Sequence, residues 1–234
     1  MKLELAFKSY GDAEINEATD SLVSGELTMG KKVARFEAMF AEYVGARHAV
    51  MVNSGSSANL LAVAALKELD YLRDGMMLTM PALTWSTTLW PVLQNGLHVR
   101  LEDCSRKTLC TRAATFAAHI LGNAAPGVPM IEDCCEALGT RVDGRHVGIY
   151  GLAGTFSFYF SHHITTIEGG MLVTEDDEIA DVARSMRAHG WTRGTSREGE
   201  RTLGIDPRFL FIRPGYNLRP MEIQAAFGIH QLAK

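Results

Sequence analysis

The chain has 234 residues, 47% hydrophobic and 21% charged, an ordinary globular composition with length for one large domain. Lys plus Arg is 23 against 27 for Asp plus Glu, and no dense basic run occurs, which argues against nucleic acid as a partner. The N-terminal MKLELAFKSYGDAEINEA mixes charges among its apolar residues and no later segment reaches membrane-spanning length, so the expectation is a cytoplasmic protein with no membrane partner.

In chain order, residues 12–24 and 31–44 predict helices, the second with Val33, Phe36, Met39, Phe40 and Val44 at helical spacing. They form an N-terminal arm, residues 1–30, and an entry helix. His48 to Asn53 is a short apolar strand, SGSSAN a small-residue turn, and LLAVAALKEL a helix. Further strands are expected at Met77–Met80, Val99–Glu102, His119–Leu121, Met130–Glu132, Thr155–Tyr159 and Met171–Thr174, with helices around 86–95, 177–188 and 220–233. Alternating strands and helices predict an α/β sheet, largely parallel. Thr192 to Asp206 is polar and turn-rich and reads as a mobile loop able to cover a site.

Three segments carry candidate chemistry. The SGSSAN turn sets backbone N–H groups and the hydroxyls of Ser54, Ser56 and Ser57 at a helix N-terminus, where the dipole favours a phosphate; the same residues also serve as ordinary helix caps. In IEDCCEALG an apolar strand, Val128 to Ile131, delivers Glu132 and Asp133 to its C-terminal end, the edge at which α/β sheets bind ligands. A carboxylate there can hold a protonated pyridine nitrogen or cap the next helix. In GTFSFYFSHHITTIEGG an aromatic strand runs into paired histidines and a glycine turn. The four cysteines, Cys104, Cys110, Cys134 and Cys135, lack a CxxC spacing and read as reduced, mostly buried thiols with no metal.

Together with LTMGKKVARFE, PALTWSTT, RAHGWTR and PGYNLRPMEIQAA, these segments resemble, in order and wording from about Leu5 to Lys234, the DegT/DnrJ/EryC1/StrS sugar aminotransferase family. The resemblance implies the three-layer α/β sandwich of the aspartate-aminotransferase large domain, with pyridoxal 5'-phosphate or pyridoxamine 5'-phosphate as cofactor. Most of the family carries S-F-x-x-x-K-N, whose lysine binds the cofactor covalently. Here Ser157 to His163 reads SFYFSHH, so His162 stands at the lysine position, and no lysine lies between Lys107 and Lys234. Histidine cannot make that covalent link but can move protons near neutral pH.

The branch with this replacement is similar to the 4-keto-6-deoxyhexose 3-dehydratases of surface-polysaccharide biosynthesis, with His162 as catalytic base. Cysteines all at or before Cys135 fit the type without an iron–sulfur cluster, similar to the colitose-pathway enzymes, which take their amino group from glutamate. The resemblance further implies that Gly55, Ser56, Ser57 and Ser157 bind the phosphate, that Trp85 stacks on the ring, that Asp133 pairs with the ring nitrogen, and that Glu136 lies near the ring hydroxyl. Asn217 would reach the phosphate of a neighbouring subunit, which implies a homodimer. His189 and Arg219 are further candidates. The substrate implied is a nucleotide-linked keto-sugar; the alternatives are a sugar aminotransferase of the same family or an inactive truncated homologue.

Two departures from the family stand out. Only Ala124 to Gly127 separate HILGN from VPMI, where relatives place a whole helix, and Thr108 to Phe116 is shortened too. A parallel crossover needs about a dozen residues, so the expectation is that HILGN pairs elsewhere or the sheet is rearranged. The sequence also stops at EIQAAFGIHQLAK, where relatives continue into a smaller C-terminal domain.

Overall fold

In the computed structural model, which describes residues 7–125, 127, 129–200 and 204–234, helix α1 (Asp12–Ser24) and helix α2 (Lys31–Val44) stand where the apolar spacing places them. Each ends at a glycine in the left-handed region, Gly25 at φ 76° and Gly45 at φ 78°. Gly30 has no side chain to cap α2. The buried carboxylate of Glu222, 192 residues on, does so instead, accepting N–H groups of Gly30, Lys32 and Val33 at 2.8, 2.8 and 2.9 Å.

Strand β1 (His48–Val52) leads into α3 (Gly55–Glu68); β2 (Met77–Pro81), α4 (Ser86–Gln94) and β3 (His98–Glu102) follow. Next come β4 (Phe116–Ala118), β5 (Ile131–Asp133), the small hairpin β6 (Arg141–Val142) and β7 (Arg145–His146), then β8 (Ala153–Ser157) and β9 (Gly170–Thr174). Helices α5 (Asp177–Arg187) and α6 (Glu222–Gln231) close the order.

The main sheet runs β1-β9-β8-β5-β4, with β9 antiparallel to both neighbours and β8, β5 and β4 mutually parallel. The parallel pair β2-β3 adjoins β4, where Thr115 N–H donates to Thr79 O at 2.7 Å. Alternate residues face opposite sides. Val50, Val52, Ala153 and Leu172 pack towards α3 and α5; Ala49, Met51, Phe156, Met171 and Val173 pack towards α2 and α6. The result is the expected three-layer sandwich on a mostly parallel sheet. Helix α1 lies outside it on α6, where Tyr10 meets Phe227 at 5.3 Å between ring centroids.

The expected strand His119–Leu121 is corrected. The strand is the preceding Phe116–Ala118, buried along its whole length, and Ile120–Gly122 forms a 3₁₀ turn with Leu121 at φ 50°. Likewise β5 is Ile131–Asp133, one residue later than the expected Met130–Glu132 and starting at the last residue of the apolar segment Val128–Ile131: the N–H groups of both Met130 and Ile131 turn to Thr115 O. Val128 lies outside the described residues, as do residues 1–6 of the expected arm and 201–203 of the expected loop. Starting the strand three residues earlier leaves twelve residues, 119–130, for the crossover, the minimum for a parallel connection. Strands β4 and β5 therefore pair in parallel with no α-helix among the described residues between them, and the sheet is not rearranged. In place of a helix, Cys110, Ala114 and Ala125 cover Ala117.

A buried hydrogen-bonded pair, His119 and Glu132, ties this crossover down. His119 Nδ1 accepts the N–H of Ala125 at 2.9 Å, which leaves its Nε2 to donate to Glu132 at 3.0 Å. Glu132 also accepts N–H groups of Gly148, Tyr150 and Gly151 at 2.8, 2.7 and 2.8 Å.

Candidate functional site

The cleft lies at the ends of β1, β5 and β8, where the sheet delivers its motifs to one edge. It has a volume of about 520 Å³, within the range of cofactor sites. Gly55, Ser56, Trp85, Asp133, Glu136, Ser157 and His162 all line it, so one cavity gathers seven residues that the sequence places on four separate segments.

One end is an anion cradle. Ser54 caps α3, its hydroxyl oxygen accepting the N–H of Ser57 at 3.1 Å while its hydrogen goes to Ser57 Oγ at 3.0 Å. The N–H groups of Gly55 and Ser56 lie in the first turn, where helix geometry supplies no acceptor. The positive end of the helix dipole and the hydroxyls of Ser56, Thr87 and Ser157 complete the cradle. A Cβ on Gly55 would lie 2.5 Å from Ser157 Cβ, so glycine is required for the start of α3 and the end of β8 to approach this closely. Ser57 itself does not line the cleft; its N–H and hydroxyl turn towards Ser54.

At the other end stands Asp133, nearly buried, held by Asn59 Nδ2 and Thr88 Oγ1, each 2.8 Å from Oδ2, and by the N–H of Cys135, 3.1 Å from Oδ1. All three partners donate, so the carboxylate is engaged as an acceptor. Trp85 is the N-cap residue of α4 and is 73% exposed, leaving a broad aromatic face free at the mouth. Glu136 accepts the N–H of Leu121 at 2.9 Å, so the helix-free crossover forms part of the cleft wall.

His162 follows a tight turn in which its N–H donates to Tyr159 O at 2.9 Å, and its ring meets the edge of Tyr159 at 6.3 Å. Among the described residues its imidazole makes no hydrogen bond, so both ring nitrogens are uncommitted. Burial pushes its pKa below the ordinary value and the neighbouring His163 adds to this, with Glu136 and Asp133 opposing. No lysine is among the described residues of the cleft wall.

Other candidates fall elsewhere. Asn217 pairs with Ala188 in an antiparallel bridge and does not line the cleft of its own chain. Arg219 and His189 bond each other at 2.6 Å. His119, Glu132 and Cys134 bring possible ligand atoms within 4.8 Å of one another, but hydrogen bonds within the protein occupy them, and burial pushes the Cys134 thiol well up, keeping it protonated. Sequence reading missed Asn59, Thr87 and Thr88; the hydroxyl-rich WSTT was the available signal for the threonines.

This sheet order, with a cleft between a helix N-terminus and a carboxylate at the strand ends, defines the aminotransferase class of α/β proteins. The family model of the DegT/DnrJ/EryC1/StrS aminotransferases matches residues 8–125 and 122–234, and the chain belongs to this family. The two matched stretches meet in the crossover between β4 and β5. GDP-4-keto-6-deoxy-D-mannose 3-dehydratase of Yersinia pseudotuberculosis is 40% identical over 98% of this chain, which spans 66% of that relative's length. A lipopolysaccharide biosynthesis protein of Salmonella typhimurium is 33% identical over 97% of the chain and 61% of its own length. Among solved structures, a GDP-4-keto-6-deoxymannose-3-dehydratase with a trapped PLP-glutamate geminal diamine superposes with a TM-score of 0.92 at 36% identity, covering all of this chain and 68% of that one.

Proposed function

We propose that residues 1–234 form the cofactor-binding large domain of a pyridoxamine-phosphate-dependent 3-dehydratase acting on a nucleotide-linked 4-keto-6-deoxy sugar in surface-polysaccharide biosynthesis. The observation that carries this reading is an uncommitted histidine, with no lysine, in a cleft that pairs an anion cradle with a fixed carboxylate. The residues fit the cofactor: the cradle matches a phosphate, and Asp133 matches a ring N–H, since Oδ2 already has two donors and Oδ1 only one.

Bound there, pyridoxamine phosphate supplies the amine that condenses with the C4 ketone and the electron sink that lets the C3 hydroxyl leave. The N–H groups of Gly55 and Ser56 and the hydroxyl of Ser157 hold the phosphate, with Ser57 stiffening the cap behind them. Trp85 covers a ring face, Asp133 holds the ring nitrogen and Glu136 borders the ring hydroxyl. His162, kept neutral by burial, accepts a proton on a free ring nitrogen. A lysine-dependent aminotransferase lacks its central residue in this cleft.

The reading extends to a cytoplasmic homodimer that takes its amino group from glutamate. Asn217 stands outside its own cleft and Trp85 is open on one side, which suits a second subunit completing the site. The solved relative trapped with glutamate suits that donor. Among the described residues no helix is long and apolar enough to cross a membrane.

The test uses the purified full chain with cofactor, glutamate and a GDP-linked 4-keto-6-deoxy sugar, following loss of the C3 hydroxyl. His162→Asn should lower turnover by about 10²- to 10⁴-fold with cofactor affinity nearly intact, and His162→Lys should yield a borohydride-trapped cofactor adduct that the parent does not form. Equal turnover of parent and His162→Asn, or a parent inert with the sugar, would overturn the reading.

A further inference from the structure

Asp133 has an asymmetric set of partners. Its Oδ2 accepts from both Asn59 Nδ2 and Thr88 Oγ1, which fills both acceptor positions of that oxygen. Its Oδ1 accepts one N–H, that of Cys135, whose protonated thiol adds only a weak donor beside the carboxylate, so Oδ1 is the more open oxygen, and the residue lines the cleft.

The donors are themselves fixed in direction. Thr88 gives its one hydrogen to Asp133, so in its 2.8 Å bond with Thr84 it is Thr84 that donates. Asn59 uses both amide hydrogens, on Asp133 and on Thr87 O at 3.2 Å, while its Oδ1 accepts the hydroxyl of Thr155 at 2.5 Å. A flipped Asn59 amide would set its oxygen against Asp133 and its NH₂ group against Thr155. Asn59, Thr88 and Thr155 are all buried, so water does not replace these bonds. Asn59 also stands four residues after Gly55 on α3, about 6 Å along the helix axis, so one rigid helix sets both the anion cradle and the orientation of Asp133.

We propose that Asn59 and Thr88 are positioning residues that turn Asp133 so that only Oδ1 faces the cleft, which makes the site selective for an aromatic phosphate ligand whose ring nitrogen carries a proton. This rests on the reading above that Asp133 receives the cofactor ring. Asn59 does not line the cleft, and Thr88, which does, spends its hydroxyl hydrogen on Asp133, so both act through Asp133. Removing either frees an acceptor position on Oδ2 and lets the carboxylate rotate, so the ring N–H loses its fixed partner.

The experiment compares equilibrium binding of pyridoxamine phosphate with that of its deaza analogue, in which C–H replaces the ring nitrogen. The parent should prefer the natural ligand by about 10- to 100-fold, the size of one hydrogen bond to a charged group. Asn59→Leu and the near-isosteric Thr88→Val should reduce the preference to about threefold or less with deaza affinity unchanged, which also reports on folding. Thr88→Ser, which keeps the donor, should retain it. If Asp133→Ala removes the preference while Asn59→Leu and Thr88→Val keep it, the positioning role is refuted and the ring reading stands. If the parent shows no preference, the ring reading itself fails. Variants that lose affinity for both ligands alike would show a merely structural role and refute the proposal.

Discussion

Glutamine in place of Glu132 keeps the shape of the side chain but halves its acceptors, at a site where four donors converge: His119 Nε2 and Gly148 N–H on one oxygen, Tyr150 and Gly151 N–H on the other. The amide oxygen can serve one pair; the other pair then faces an NH₂ group. If His119 shifts its hydrogen to Nδ1 to accept from that NH₂, the new N–H opposes the N–H of Ala125, so the conflict moves rather than disappears. Two buried donors left unpaired cost about 1–3 kcal/mol each, so Glu132→Gln should destabilise the fold by about 2–6 kcal/mol, a large share of the about 5–15 kcal/mol typical of a whole domain.

The measurement is the urea midpoint at constant slope, repeated across pH. Burial alone would raise the Glu132 carboxyl, but hydrogen bonds from His119 and the N–H groups of Gly148 and Gly151 outweigh it and hold the pKa below the ordinary value. A carboxyl lowered in the folded state stabilises fully above its unfolded pKa, about 4.3, and loses that contribution as pH falls through the folded value. The gap between parent and variant should therefore be widest near neutrality and close on acidification below about pH 4. A difference under about 0.5 kcal/mol at pH 7, the size of an ordinary surface substitution, would show that the hydrogen bonds of Glu132 do not hold this crossover.

Gly228→Ala would place a Cβ 2.6 Å from Cε1 and Cζ of the fully buried Phe36, whose ring packs on Phe158 at 5.3 Å. Overpacking of about 1–3 kcal/mol should exceed the about 1 kcal/mol that alanine gains in a helix, lowering the thermal midpoint; a raised midpoint would contradict this. For catalysis, burial and His163 place the His162 pKa below its ordinary 6.5, and the base must be neutral to act. The acid limb of kcat/KM, which reports the free protein, should fall below pH 6.5, and a limb centred above it would exclude His162 as the group titrating.

Much of this molecule is local in origin and therefore legible in the residues alone. Helices α1, α2 and α5 follow from apolar spacing and from glycine or aspartate at their ends, and the cleft motifs follow from small residues or carboxylates set just after apolar strands. The missing lysine is a matter of composition, and so is His162 in its place. What sequence could not place depends on partners distant along the chain. A three-residue strand such as Phe116–Ala118 has no period to read, so its limits were decided by pairing with β5. Glu222 caps a helix 190 residues earlier, and Asn59 meets Asp133 across 74 residues. A buried polar side chain is fixed by whichever donors or acceptors the folded layers bring to it, because an unmet one costs more than any local preference supplies.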